Sequence, residues 1–412
     1  MKTSSKFNFT GGVIQSNSAT KGTNAGAIYT AASIVITMSG GEIKGNTGLT
    51  AGAIYFSSSG VTLNMSGGSI TGNTGPYGVY FASSLTFRMG GDVPISGNVT
   101  TGNVERNIYM ASGVITITAP LKAGNKYDVT KPAVGPVTAN FGAHNPTVKP
   151  SDVFTSGSTA YRVINDKYGK LDSGASATSE ATFLHISNND LNWMYLVGVS
   201  NNANPSTFTM FANWTAATHS NYKFSFNAGT YTADTDYYYY GALQVPSGKN
   251  VIIDLNGYTI NRPLTAVYAT YGYVLRVFGK VEITDSSAGG TGVLKGGWIS
   301  GSFGAGVHLL SGATLKITGG TIQDNKGNGV YATGNNTVEM TGGRITANTT
   351  GYGLYIAAAN VTFNLGGSAK IDGNTNGSAA NIFLHANFER INIISKLTGG
   401  TAFGVTRARA HY

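Results

Sequence analysis

Short stretches in which apolar and polar residues alternate run along most of the chain. They include VTLNM at 61–65 and VTFNL at 361–365. Because successive side chains of a strand point to opposite faces, Val61, Leu63 and Met65 are predicted to point inward, and Thr62 and Asn64 outward. The pattern predicts many short strands, each with one buried face.

A phrase with two adjacent glycines, an isoleucine and an asparagine follows these strands. It reads MSGGEIKGN at 38–46, MSGGSITGN at 65–73 and MTGGRITAN at 340–348, and it recurs with a spacing of 23 to 29 residues. Helical repeats need about 30 residues or more, whereas about 23 residues suit one coil of three short strands and three bends. The sequence therefore predicts an all-β fold, a right-handed parallel β-helix with 23–29 residues per coil.

The spacing that recurs along the chain gives the isoleucines, glycines and asparagines of the phrase distinct structural roles. Ile43, Ile70 and Ile95 are predicted to form one buried column. Paired glycines such as 40–41 and 67–68 are predicted to supply positive φ angles and close backbone approach at bends. One corner is predicted to hold asparagines in the left-handed conformation, with their amides stacked as a hydrogen-bonded ladder. These are Asn46, Asn73, Asn98, Asn348 and Asn374.

The sequence also has a longer repeat that spans several coils, because residues 60–131 match 336–407 at an offset of 275 to 276. We expect two tandem β-helices joined by a small β-rich spacer. Residues 1–131 would be the C-terminal part of the first helix, 132–205 the spacer or an end cap, and 206–412 the start and most coils of the second. The offset indicates a window of about one and a half units from a larger array.

Within the spacer, the runs at 160–164, 182–186 and 193–199 are predicted to be strands. The tyrosine-rich stretch at 237–240, together with Tyr258, Tyr268, Tyr271 and Tyr273, is expected in part to cap the start of the second helix.

Composition narrows the function classes. The formal net charge is +9, but the basic residues are scattered, so a nucleic-acid-binding arm is not predicted. Without cysteine the chain has no disulfides and no thiolate metal site. No window approaches the ~18 apolar residues of a membrane span. Outward basic residues are interpreted as solubilising, with anion binding as the alternative. They include Lys44, Arg88, Lys316, Arg344 and Lys370.

Candidate catalytic groups are few among 18 acidic residues. Asp324 and Asp372 are predicted to lie on corners two coils apart and in different rows, which does not suit an acid/base pair. Asp254 and Asp285 are interpreted as turn residues that bond nearby backbone. The six histidines show no metal-ligand spacing. We therefore predict no catalytic residue, no metal site and no cofactor.

Outward aromatic residues are the strongest candidates for ligand contact. Alternation places Ile54, Val79, Phe56 and Phe81 inside, and the tyrosines between them must then point outward and stack. A stacked row stabilises a sheet, and it could equally bind sugar rings or a partner surface. Both readings remain open for Tyr29, Tyr55, Tyr80, Tyr109, Tyr331 and Tyr355, with Phe383 continuing the second row.

Two longer segments carry a family resemblance. ALQVPSGKNVIIDLNGYTINR at 242–262 and VEITDSSAGGTGVLKGG at 281–297, with the glycine-pair coils, resemble large β-helix surface proteins of anaerobic, often gut-dwelling bacteria, of the pectin-lyase-like superfold. The AGAIY phrase paired with IxxN is similar to the GGAI and FxxN repeats of chlamydial polymorphic membrane proteins. The resemblance covers the coils and not 132–205, and it implies an adhesin-like surface protein.

The sequence thus favours a non-enzymatic, extracellular repeat protein attached to the cell surface as part of a longer protein. Its partners would be glycans or a host or partner surface. One alternative is a carbohydrate-active enzyme, a polysaccharide lyase or hydrolase, on the same fold. Another is a self-assembling fibre or phage tail component, because open coil ends can associate end to end.

Overall fold

The computed structural model is nearly all-β, a β-solenoid of about 12 turns with only three short helices in the part of the chain that it describes. This confirms the predicted parallel β-helix. The structure describes residues 5–22, 24–166, 180–185, 193, 196–198, 200–202, 205–210, 213–215, 238–239, 242–267, 271–300, 303–398 and 403–408.

The chain divides into two compact units, Met1–Ile186 (unit 1) and Ser187–Tyr412 (unit 2). Among the described residues, no helix is long and apolar enough to cross a membrane. The predicted boundaries at 131 and 205 stay predictions.

The strands of unit 1 are short, apart from two that continue around a bend. They are β1 (Ser5–Phe9), β2 (Val13–Gln15), β3 (Ser18–Ala19), β4 (Ile28–Thr30), β5 (Ile34–Lys44), β6 (Thr47–Gly48), β7 (Ile54–Phe56), β8 (Val61–Thr71), β9 (Val79–Phe81), β10 (Leu85–Gly91), β11 (Ile95–Ser96), β12 (Ile108–Met110), β13 (Ile115–Leu121), β14 (Tyr127–Thr130), β15 (Gly135–Pro136), β16 (Thr138–Ala139), β17 (Phe154–Ser156), β18 (Tyr161–Asp166) and β19 (Glu180–His185). Two helices, α1 (Phe141–His144) and α2 (Pro150–Val153), lie between β16 and β17.

Parallel pairing between successive coils builds the sheets of unit 1. One sheet has the order β1-β5-β8-β10-β13-β16, with β2 and β11 added at the bent halves of β5 and β8, and a second has the order β17-β14-β12-β9-β7-β4. A two-stranded sheet joins β3 and β6, and β15, β19 and β18 form a small antiparallel sheet. The strands predicted at 160–164 and 182–186 correspond to β18 and β19.

Unit 2 has the same plan. Its strands are β20 (Ser206–Thr209), β21 (Trp214–Thr215), β22 (Tyr238–Tyr239), β23 (Ala242–Val245), β24 (Asn250–Asp254), β25 (Thr259–Asn261), β26 (Leu275–Val277), β27 (Lys280–Thr284), β28 (Val293–Lys295), β29 (Gly304–Leu309), β30 (Thr314–Ile317), β31 (Thr321–Gln323), β32 (Asn328–Ala332), β33 (Thr337–Met340), β34 (Arg344–Thr346), β35 (Leu354–Ile356), β36 (Thr362–Gly367), β37 (Lys370–Ile371), β38 (Ile382–Leu384), β39 (Ile391–Leu397) and β40 (Val405–Arg407). They form sheets ordered β20-β24-β27-β30-β33-β36-β39, β21-β25-β28-β31-β34-β37 and β22-β23-β26-β29-β32-β35-β38-β40.

One predicted strand is wrong. Residues 193 and 196–198, at the start of unit 2, are helical. Trp193 is fully buried and its ring lies 5.9 Å from that of Trp214, so the apolar run packs one face of a helical turn instead of a sheet. Of the tyrosines expected near the start of the second helix, Tyr237, Tyr240 and Tyr268 lie outside the described residues.

The core consists of columns of inward side chains. Ile43 pairs with Ile70, Ile70 pairs with Ile95, and all three are fully buried, which confirms the predicted column. Phe56 and Phe81 stack with their ring centroids 4.7 Å apart and their planes 4° from parallel. Each coil therefore buries the same positions, one strand spacing above the last.

The asparagine ladder is confirmed, but the left-handed residue was assigned wrongly. The Nδ2 group of Asn46 donates to Oδ1 of Asn73, at 3.0 Å, and Asn73 donates to Asn98 in the same way, at 2.8 Å. The positive φ belongs to the preceding residue, 61° at Gly45 and 62° at Gly72. That turn points the asparagine side chain inward, where its amide can bond backbone as well as its neighbours.

Candidate functional site

The outward tyrosines of unit 1 form one continuous row. Each of the three-residue strands β4, β7, β9 and β12 has one buried residue on each side of its central tyrosine, so the tyrosine must face away from the core. The register pairs Tyr29 with Tyr55, Tyr55 with Tyr80 and Tyr80 with Tyr109. The predicted stacking on successive coils is therefore confirmed.

The rings of this row are in contact along its whole length. Ring centroids lie 5.4 Å apart between Tyr29 and Tyr55 and between Tyr55 and Tyr80, and 4.4 Å apart between Tyr80 and Tyr109. The last pair is nearly parallel, at 9°, while Tyr55 meets Tyr80 edge to face, at 78°. Tyr29 is 43% exposed and the other three are half-buried.

Tyr77 widens the row, although sequence reasoning did not select it. It precedes β9, and its ring centroid lies 5.6 Å from that of Tyr80 and 5.0 Å from that of Tyr109. Burial raises the pKa of Tyr80, and the neighbouring Tyr109, Tyr55 and Tyr77 raise it further. The Tyr80 hydroxyl therefore stays protonated at neutral pH and can both donate and accept hydrogen bonds.

Unit 2 repeats the group of Tyr77, Tyr80 and Tyr109 with almost the same geometry, whereas Tyr331 and Tyr355 are stacked at 30° where Tyr55 and Tyr80 meet at 78°. Tyr331 pairs with Tyr355, and Tyr355 pairs with Phe383. The stacked pair Tyr355 and Phe383 has a centroid distance of 4.3 Å and an angle of 11°. Tyr352 takes the place of Tyr77, at 5.8 Å from Tyr355 and 5.1 Å from Phe383.

Beyond Tyr331, the row of unit 2 continues with residues other than tyrosine or phenylalanine. His308 pairs with Tyr331, and Arg276 pairs with His308, so a histidine and an arginine continue the row. The His308 ring lies 5.2 to 5.8 Å from the rings of Tyr331, Tyr273 and Phe303. Burial, with a smaller contribution from Arg276, lowers the pKa of His308 to about 4. His308 is therefore neutral at physiological pH.

The carboxylates that could act in catalysis lie elsewhere. Asp372 pairs with Arg344, with Oδ1 2.7 Å from Nε and Oδ2 3.0 Å from Nη2. The register places it in the row of Thr346 and Gln323, whereas Asp324 occupies the neighbouring left-handed corner, with φ 53°. The two carboxylates thus lie in different rows, as expected.

Asp254 and Asp285 hold turns, as the sequence predicted. Asp285 accepts hydrogen bonds from the backbone N–H groups of Gly257 (2.8 Å), Ser287 (3.1 Å) and Gly292 (2.5 Å). Although burial alone would raise its pKa, these bonds lower it below the usual value. Asp254 accepts from the backbone N–H groups of Asn256 (3.1 Å) and Ser286 (2.9 Å), the latter on the next coil.

Several outward basic residues are paired with acids. Lys44 pairs with Glu42, Lys316 with Glu282 and Arg344 with Asp372.

In the part of the chain that the structure describes, no group of three or more histidine, aspartate or glutamate side chains is placed to hold a metal ion. The two aromatic clusters are therefore the candidate site.

The chain matches no protein-family model, no curated protein and no solved structure.

Proposed function

We propose that this chain is a non-enzymatic, extracellular repeat protein, attached to the cell surface, whose aromatic rows bind extended glycans. The observation that carries the proposal is the duplicated cluster. The stacked pairs Tyr80–Tyr109 and Tyr355–Phe383 differ by only 0.1 Å in centroid distance, which follows from the values of 4.4 and 4.3 Å. The resemblance to adhesin-like β-helix surface proteins supports the same proposal.

A row of this kind suits a chain of sugars. Aromatic faces present apolar area, and the tyrosine hydroxyls at their edges can donate and accept hydrogen bonds. Extended glycans present alternating apolar faces and hydroxyl edges, so neighbouring rings, 4.4 to 5.4 Å apart in unit 1, can each add a weak contact to the same chain.

A glycan array tests the proposal. We expect the full chain to bind extended glycans, and simultaneous Tyr29→Ser, Tyr55→Ser and Tyr80→Ser to weaken binding at least tenfold, because three of the four paired rings of the unit 1 row are lost. The corresponding Tyr→Phe triple retains the rings and should lose much less. Binding to acidic glycans should weaken as salt rises, because the basic chain attracts anions through screened interactions.

A matched control lies on the same three coils. Val35, Thr62 and Thr86 form an outward, half-buried row of the first sheet in register with one another. Replacing all three by Ser should leave glycan binding unchanged. Equal binding by the parent, the Tyr→Ser triple and this control would contradict the proposal and leave the rows a structural ladder, whose ring contacts contribute about 0.5–1.5 kcal/mol each.

A further inference from the structure

Asparagine followed by glycine is prone to deamidation, and the chain contains three such pairs. They are Asn256–Gly257, Asn328–Gly329 and Asn376–Gly377. In this reaction the backbone nitrogen of the glycine attacks Cγ of the asparagine, and a residue without a Cβ leaves that approach open. A hydrogen bond that holds the glycine N–H or the asparagine amide opposes the attack. The structure separates the three pairs on this point.

The pair Asn256–Gly257 is held by groups on the neighbouring coils. The backbone N–H of Gly257 donates to Oδ1 of Asp285 at 2.8 Å. The Nδ2 group of Asn256 donates to the carbonyl oxygen of Met210 at 3.1 Å. Both the attacking nitrogen and the leaving amide of this pair are therefore engaged.

The pair Asn328–Gly329 opens β32 and is buried. The backbone N–H of Gly329 donates to the carbonyl oxygen of Tyr352 at 2.9 Å. Oδ1 of Asn328 accepts from the backbone N–H of Tyr352 at 2.7 Å, and Asn328 is only 2% exposed. This pair is protected by the sheet and by exclusion of water.

The pair Asn376–Gly377 lies in an outward excursion between β37 and β38. All residues from 375 to 379 are exposed, and the backbone N–H of Asn376 donates to the carbonyl oxygen of Ser378 at 2.9 Å. Within the described part of the chain, neither the Gly377 N–H nor the Asn376 side-chain amide makes a hydrogen bond. Gly377 has a φ of 75°, and a Cβ added to it would meet no atom within 4 Å. The attacking nitrogen is therefore unhindered and open to water.

The exposure of this pair comes from the excursion and not from its place in the chain. In both units an excursion separates two rungs of the asparagine ladder, Asn98 and Asn107 in unit 1 and the equivalent pair in unit 2. Residues 101–105 are exposed although the described strands β13 and β14 follow them. There Asn103 precedes Val104, whose branched side chain obstructs the attack. Unit 1 thus supplies an exposed asparagine without a following glycine.

We propose that Asn376 is a site of spontaneous deamidation through a cyclic imide formed with the backbone nitrogen of Gly377. The deprotonated nitrogen of Gly377 forms a bond to Cγ of Asn376, the Cγ–Nδ2 bond breaks, and the amide leaves as ammonia. Water then adds to one of the two carbonyls of the five-membered ring, which gives aspartate or isoaspartate. Each event adds a negative charge to an exposed loop of a chain whose formal net charge is +9.

The test incubates the full chain in mildly alkaline buffer and follows each asparagine by proteolysis and mass spectrometry, because conversion of the amide to an acid raises the peptide mass. Chromatography separates the aspartate and isoaspartate forms. We expect Asn376 to react at least about tenfold faster than Asn256, Asn328 or Asn103, since the folded structure opens none of these for attack. In the chain unfolded by urea, Asn256 and Asn328 should react about as fast as Asn376, and Asn103 should stay slow.

A matched variant tests the route of the reaction. Gly377→Ala adds a Cβ next to the attacking nitrogen and should slow deamidation of Asn376 at least about tenfold. Equal rates in this variant and the parent would overturn the proposal, because the reaction would not pass through the backbone nitrogen of residue 377. So would an Asn376 that stays as intact as Asn328 in the folded chain, or a product that contains aspartate without isoaspartate, which indicates direct hydrolysis of the amide.

Discussion

Asn73, at the middle of the asparagine ladder of unit 1, gives the sharpest test of what holds the coils together. Its Nδ2 group donates to the carbonyl oxygens of Ile43 (3.0 Å) and Thr71 (3.1 Å) and to Oδ1 of Asn98 (2.8 Å). Its Oδ1 accepts from the backbone N–H and the Nδ2 group of Asn46, both at 3.0 Å. One buried amide therefore joins three coils.

Asn73→Ala removes all five of these contacts. The buried backbone N–H of Asn46 loses its acceptor, which costs about 1–3 kcal/mol, and each further bond adds about 0.5–1.5 kcal/mol. The Nδ2 group makes three of the contacts with only two hydrogens, so these contacts do not add fully. We therefore expect Asn73→Ala to lower the free energy of unfolding by about 3–6 kcal/mol in total. Asn17, at the first rung, only donates from its side chain to Asn46, at 2.9 Å. Asn17→Ala should therefore cost only about 0.5–1.5 kcal/mol.

Hydrogen–deuterium exchange is the suitable assay. All three tryptophans lie in unit 2, so their fluorescence does not report on unit 1. Peptides covering 43–46 and 70–73 should exchange about 10²- to 10⁴-fold faster in Asn73→Ala, at 1.36 kcal/mol per factor of ten. If Asn73→Ala costs no more than Asn17→Ala, the ladder does not stabilise the coils and the reasoning fails.

Further predictions concern single substitutions at four positions. Ala347 has a φ of 53°, so Ala347→Gly should stabilise unit 2 by about 0.5–1 kcal/mol. Gly72 has a φ of 62°, so Gly72→Ala should destabilise unit 1 by about 1 kcal/mol, although the added Cβ would meet no atom within 4 Å. Urea titrations measure both changes. Burial raises the pKa of Asp128 to about 6, so the stability of unit 1 falls as pH rises from about 4 to 6. Asp128→Asn should raise the free energy of unfolding of unit 1 at pH 7 by about 1–3 kcal/mol, which is measured as slower hydrogen–deuterium exchange. The pKa of His308 is lowered to about 4, so the unfolded state binds the extra proton between pH 6.5 and 4 and unit 2 loses about 3 kcal/mol as pH falls through that range. His308→Phe should abolish this loss in urea titrations followed by tryptophan fluorescence, and an unaltered slope would contradict the assignment.

The repeat made the solenoid predictable because each coil constrains the next. Alternation at 61–65 and the recurring isoleucine give the inward columns, and the recurring asparagine gives the ladder. The left-handed corner was misassigned, because the preference of asparagine for positive φ pointed to the wrong residue. The preceding position tolerates Ser16, Gly45, Asp324 or Ala347, so its composition carries little signal.

The candidate site was predictable only in part. Tyr29, Tyr55, Tyr80 and Tyr109 follow from alternation within strands. Tyr77 and Tyr352 lie outside strands, and the signal available was their equal position three residues before Tyr80 and Tyr355. His308 was missed because only the pairing of β29 with β32 shows that it continues a tyrosine row.

In each unit the aromatic row lies on one sheet, and this distribution favours the proposed role in binding. A stacked row would stabilise any of the parallel sheets equally well. Yet the outward row of the first sheet in unit 1 contains no ring among its described members. It runs Asn8, Thr37, Asn64, Arg88 and Thr116. The corresponding row in unit 2 runs Glu282, Lys316, Glu339, Asn364 and Asn392. These rows differ in charge between units, whereas the three-ring groups Tyr77–Tyr80–Tyr109 and Tyr352–Tyr355–Phe383 keep nearly the same centroid distances. A requirement for stability alone does not explain why the rings lie on one sheet of each unit. The proposed ligand, lying along that sheet, does explain it.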